Sequence, residues 1–268
     1  MTGNKPTFIF VPGAWHCANK FEPVTSKLEA LGYPTKSVQL PCFGAEPPLS
    51  DFQPDVAAIR QEIEKSVDAG EDVVLFMHSY GGIVGCEACR GLGKAAREKE
   101  GKTGGVVRLV FCAAFMVPEG ELWQTGVDRA CVTNKAPPGV SLFDMLQGNP
   151  LPWFIVSDDK TKVDPARPEE IFYNDMDEAA IKEAIAGLKH HSYQTFYSKL
   201  TYPAYKDIPV TYIKCELDNA IPHQGQQRMI DTCGVDVTVE TMQASHSPFL
   251  SKPDVVIAAC RRSAGESF

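Results

Sequence analysis

No stretch of this 268-residue sequence supplies the roughly 18 consecutive apolar residues that a membrane-spanning helix requires. The N-terminal stretch MTGNKPTFIFVPG lacks the apolar region and cleavage site of a signal peptide, so a soluble, cytoplasmic protein with no membrane partner is expected. Long basic blocks are missing as well. Lys and Arg number 26 against 34 Asp and Glu, a net charge of −8, and nothing is built to track a phosphate backbone, so nucleic acid is not an expected partner. Paired metal spacing is the third absence. Nine cysteines are scattered along the chain. Its single C-x-x-C, Cys86 and Cys89, has no second pair or His-x-x-x-His beside it and reads as helix interior. Reduced thiols packed as small hydrophobes are expected there, and no metal.

What the chain does have is a repeating alternation. Apolar runs at Thr7–Val11, Thr35–Leu40, Asp72–Met77, Val106–Ala113, Pro209–Cys215 and Val235–Met242 are separated by helical patterns, which is the signature of a buried parallel sheet. Residues 21–32 and 51–70 read as amphipathic helices stopped by Gly32 and Gly70. Residues 251–263 read as a final helix, with Ser251 as candidate N-cap and Arg261 and Arg262 in its last turn. The expected fold is α/β: a six-stranded, mostly parallel sheet with helices on both faces. Two segments interrupt it. Residues 91–105 are charged and glycine-rich and read as a solvated face. From Pro118 to Tyr205 the alternation gives way to proline, aromatic and helical patterns over a length too great for a structureless loop. The expected division is a core of residues 1–117 and 206–268 with a helical lid, 118–205, inserted into it.

Reactive groups in such a sheet collect at the carboxyl ends of the strands. Residues 75–82, LFMHSYGG, put Ser79 directly after a strand and before Gly81 and Gly82, as a strand-to-helix elbow presenting a nucleophile requires. A plain helix-capping serine would also fit that octet. A serine hydroxyl needs a base within hydrogen-bond reach and a third group to orient the base. His246 follows the sixth run and Asp218 the fifth. Glu216 competes for the acid role, with Asp218 favoured because D-x-x-I-P marks the loop into the next helix. His190, His191 and His223 are weaker bases, and His78, inside the elbow, reads as structural. The loop after the first strand, FVPGAWHCANKF, carries Gly13, which allows close backbone approach, and Trp15 and His16 beside it.

VPGAWH, MHSYGG, VFCAAFMVPEG, CELDNAIP and ASHSPFLSKPDVV together resemble the α/β-hydrolase superfamily over nearly the whole chain. Within it they are similar to the small-lid branch of plant methyl esterases, hydroxynitrile lyases and their bacterial and fungal relatives. The resemblance implies that Ser79, Asp218 and His246 are catalytic and that the N–H groups of Ala14 and Tyr80 form an oxyanion hole. Three positions depart from the pattern: Met77 stands at the first elbow glycine, Pro12 at the histidine before Gly-Ala, and Ser247 where the lyases carry lysine, which disfavours cyanohydrin cleavage. The implied activity is hydrolysis of a carboxylic ester or lactone, without metal or organic cofactor. Gly13, Trp15, His16, Trp123, Trp153 and Phe154 are the candidate substrate contacts for a small hydrophobic or aromatic molecule. A lyase, cyclase or acyl-transfer step of small-molecule biosynthesis, or a small-molecule receptor, would use the same pocket. A homodimer is left open.

Overall fold

The computed structural model describes residues 5–120 and 150–268. Six strands form the central sheet: β1 (Thr7–Val11), β2 (Thr35–Ser37), β3 (Asp72–His78), β4 (Gly105–Cys112), and, after the insert, two late strands. The insert's own strands are β5 (Phe154–Val156), β6 (Lys162–Pro165) and β7 (His191–Ser192), so the late core strands are β8 (Val210–Cys215) and β9 (Val237–Met242). The order is β2-β1-β3-β4-β8-β9, and every neighbouring pair is parallel. Parallel neighbours need crossovers, and helices supply them on both faces.

The two faces sort by the two-residue period of a strand. Ile9, Val11, Val73, Leu75 and Met77 point to the face covered by α2 (Gln53–Asp68) and α3 (Gly81–Ala88). Phe8, Phe10, Val74 and Phe76 point to the other, where α1 (Glu22–Ala30) packs with the C-terminal helix. Both early helices stop as expected, at Gly32 and Gly70, which take φ of +83° and +85°.

Three local expectations change. The terminal helix runs Pro253–Ser263, and its N-cap is Lys252, with no side-chain cap; Ser251 instead ends the preceding turn, Pro248–Ser251. Proline at the first helical position supplies the start signal without a capping hydroxyl. The charged segment is not wholly a solvated face: α4 (Lys94–Lys99) buries Arg97, which donates to the carbonyls of Gly104 at 2.6 Å and Val67 at 2.9 Å and pairs with Asp68 at 2.8 Å. The guanidinium thereby ties the glycine-rich loop, through Gly104 O, to the C-terminal turn of α2, through Val67 O and Asp68. The insert is not only helical either. Beside α5 (Pro168–Phe172) and α6 (Glu178–Ala186) it carries the antiparallel sheet β5-β6-β7, docked on the core where Ser192 N donates to Cys42 O at 3.3 Å.

Cys86 and Cys89 are buried and free. Among the described residues no helix is long and apolar enough to cross a membrane.

Candidate active site

Ser79 sits between β3 and α3 with φ of +51°, the left-handed region that a non-glycine residue occupies only under constraint. The turn around it is tight because its neighbours are small: a β-carbon on Gly81 would come within 2.7 Å of the Pro12 carbonyl oxygen. Met77, at the position of the missing elbow glycine, is fully buried. Its side chain runs under α3 against Gly85, where a β-carbon would lie 2.5 Å from the sulfur. The space that Met77 fills is thus space that residue 85 leaves empty.

His246 lies in the loop after β9, and Asp218 in the loop after β8. The His246 Nδ1–H donates to Asp218 Oδ2 at 2.8 Å, both side chains being buried. The carboxylate is held in place from every side: Oδ1 accepts the N–H groups of Ala220 and Ile221 at 2.8 Å, and Oδ2 also accepts from Gln226 at 3.1 Å. Glu216 does not reach the histidine; its carboxylate accepts from Gln243 at the surface. Of the two candidate acids, the structure brings Asp218 to His246.

Ser79 and His246 line one cavity, walled by Trp15, Phe115, Leu151, Trp153 and Phe172 and closed by Ala220 and Ile221 from the Asp218 loop. No Asp, Glu, Lys or Arg side chain lines it among the described residues. The loop after β1 backs directly onto the serine, since a β-carbon on Gly13 would stand 2.8 Å from Ser79 Cβ. No acceptor among the described residues takes the N–H of Ala14 or of Tyr80.

His16 does not line this cavity. Its Nδ1–H donates to Ala14 O at 2.7 Å and its Nε2 accepts from the Tyr173 hydroxyl at 2.9 Å, and burial lowers its pKa to about 4. His78 donates from Nε2 to the His246 carbonyl at 2.9 Å and is likewise held well below the usual histidine range by burial. It is structural, as its place inside the elbow suggested. Phe154 packs behind Trp15, ring centroids 5.6 Å apart, away from the cavity wall. Trp153 is on the wall, and Trp123 lies outside the described residues. Sequence reasoning passed over Phe115, Leu151, Ala220 and Ile221, although Phe115 and Ala220 each follow a core strand within a few residues and could have been found by that position.

The family model described as the alpha/beta hydrolase family matches residues 8–259, and the chain belongs to that family. It is 32% identical over 263 residues to the alpha/beta hydrolase nvfD of Aspergillus novofumigatus, covering 98% of each chain. It is also 25% identical to methylesterase 1 of Arabidopsis thaliana, covering 93% of this chain and 92% of the plant protein. Among solved structures, the pyrethroid hydrolase of Sphingobium faniae JZ-2 superposes with a TM-score of 0.72 at 20% identity over 97% of each chain. That likeness speaks to the fold.

Proposed function

We propose that the protein is a serine esterase that hydrolyses a carboxylic ester or lactone of a small hydrophobic or aromatic molecule. The observation that carries this reading is the cavity shared by Ser79, on a strained strand-to-helix turn, and His246, whose Nδ1–H is committed to Asp218. That hydrogen bond leaves Nε2 as the unprotonated nitrogen. Nε2 takes the Ser79 proton as Oγ attacks the ester carbonyl, and the Ala14 and Tyr80 N–H groups receive the developing oxyanion. His246 then protonates the leaving alcohol, and in the second half-reaction activates the water that releases the acid. Asp218 holds the ring in the required tautomer and stabilises the imidazolium. The aromatic, uncharged wall suits a neutral ring or alkyl group, and the similarity to a methylesterase agrees with ester chemistry.

Treatment with a fluorophosphonate probe, followed by peptide mapping, tests the reading. Labelling at Ser79, with turnover of a nitrophenyl ester abolished in Ser79→Ala, is the expected result. An unlabelled protein that turns over no ester would overturn it.

A further inference from the structure

Resting on the esterase reading, we propose that Asp55 is a positioning residue for the oxyanion hole, acting through the phenol of Tyr80. Asp55 stands in the first turn of α2 and is fully buried, yet among the described residues no cation pairs with it. Its carboxylate accepts from neutral donors: Oδ1 the backbone N–H of Cys42 at 2.9 Å, Oδ2 the Tyr80 hydroxyl at 2.9 Å, and the Cys42 thiol besides. A buried carboxylate is costly to desolvate and survives where its hydrogen bonds are specific. Burial duly pushes its pKa upward. A residue kept at such a cost between a loop and the elbow calls for a reason beyond packing.

The reason lies in what the elbow has to hold still. In the turn 79–82, Ser79 must leave its side chain free for chemistry, and Gly81 and Gly82 have none. The Tyr80 side chain is therefore the turn's one lateral anchor, and it belongs to the residue whose N–H is assigned to the oxyanion. Its ring is wedged against His191 at 4.8 Å and Phe196 at 5.6 Å, both from the insert, and its hydroxyl donates to Asp55 and meets the Thr195 side chain as well. The surroundings are otherwise neutral. His191 Nε2 meets the Thr195 hydroxyl at 2.9 Å, and that hydroxyl donates to Ser192 O at 2.9 Å. His191 Nε2 is thus the donor, and Nδ1 lies 3.4 Å from the Cys42 sulfur. Of the bonds to the Tyr80 hydroxyl, the one to the Asp55 carboxyl group is the one that ionisation of the acceptor strengthens, and an oxyanion donor works only when it is fixed before the charge develops.

The test compares Asp55→Ala, Asp55→Asn, Tyr80→Phe and the Asp55→Ala/Tyr80→Phe pair, with rates expressed per active site titrated by a fluorophosphonate. Asp55→Ala and Tyr80→Phe are each expected to lower kcat by about 10- to 100-fold with KM changed less than about threefold. The inhibition constant of an aryl trifluoromethyl ketone, which forms a hemiketal oxyanion on Ser79, should rise by the same factor. The paired variant should be no slower than the slower single one, because both remove one restraint. Asp55→Asn, which keeps the acceptor for Cys42, should recover part of the loss. Titration removes the unfolded fraction from the comparison, and if Asp55→Ala does not fold, Tyr80→Phe and Asp55→Asn carry the test. Unchanged kcat per site, unchanged ketone affinity, or losses that multiply in the pair would overturn the role of Asp55 alone. A parent enzyme that neither turns over an ester nor binds the ketone would overturn the esterase reading together with it.

Discussion

The sulfur of Met77 occupies the space into which a side chain on Gly85 would grow, 2.5 Å from where that β-carbon would be. Where the elbow carries Met77 in place of its first glycine, Gly85 in the following helix leaves the room that the methionine side chain fills. Gly85→Ala therefore has two opposed effects: a gain of about 1 kcal/mol in helix propensity, and overpacking against Met77 that costs about 1–3 kcal/mol. Net destabilisation of about 1 kcal/mol is expected in urea unfolding. In a Met77→Ala background the same substitution should stabilise, and an unchanged sign would show that the two side chains do not compete.

Asp218 and Glu216 are two residues apart on one loop, but only Asp218 touches His246. Asp218→Asn should lower kcat by about 10⁴ by favouring the wrong tautomer, while Glu216→Gln should stay within about twofold. Nitrophenyl ester kinetics on both variants, matched by unfolding midpoint, decide between them. Comparable losses in the two would remove Asp218 from the orienting role.

Stability should fall as the solution is acidified below pH 6.5. Burial lowers His16 to about 4 and His191 to about 3, so between those values and 6.5 the unfolded chain binds protons that the folded one refuses. The stability these neutral rings contribute is present above pH 6.5 and is lost as pH drops toward 4, on the order of a few kcal/mol in all. Urea midpoints at pH 7, 6 and 5 should decline in that order. His16→Asn, whose amide can donate to Ala14 O, should make the slope shallower.

Trp153 contributes one wall of the cavity, so truncation should be felt by large acyl groups and ignored by small ones. Trp153→Ala is expected to raise KM for an arylacetate or benzoate ester by about tenfold relative to an acetate ester, the scale of one buried ring face of roughly 50–60 Å². Equal changes for both would place Trp153 in the insert's packing and not against substrate.

Much of this molecule was legible in one dimension because its determinants are local and periodic. Six apolar runs broken by helical patterns, two glycine stops and a serine followed by two glycines each depend on residues within a turn of one another. The strands fell within a few residues of their expected ends; β2 is the exception, leaving the sheet after Ser37 where an edge strand has only one neighbour to hold it. Where an expectation failed, a contact or a neighbouring residue that the pattern did not weigh had intervened. Arg97 looks like a surface charge until the Gly104 and Val67 carbonyls fold over it, and Ser251 looks like a cap until Pro253 makes one unnecessary.

Composition, periodicity and motif order thus determined the parallel sheet, its interruption after the fourth strand and the identity of the serine, histidine and acid candidates. The tertiary structure decided which acid meets His246, which rings wall the cavity, and that Asp55, about 25 residues before the elbow, reaches the Tyr80 hydroxyl. The physical reason is that strand and helix formation is encoded in neighbours along the chain, whereas hydrogen-bond partners are chosen by proximity in space. Loops from β1, β3, β8 and β9 come together only after the sheet has been assembled.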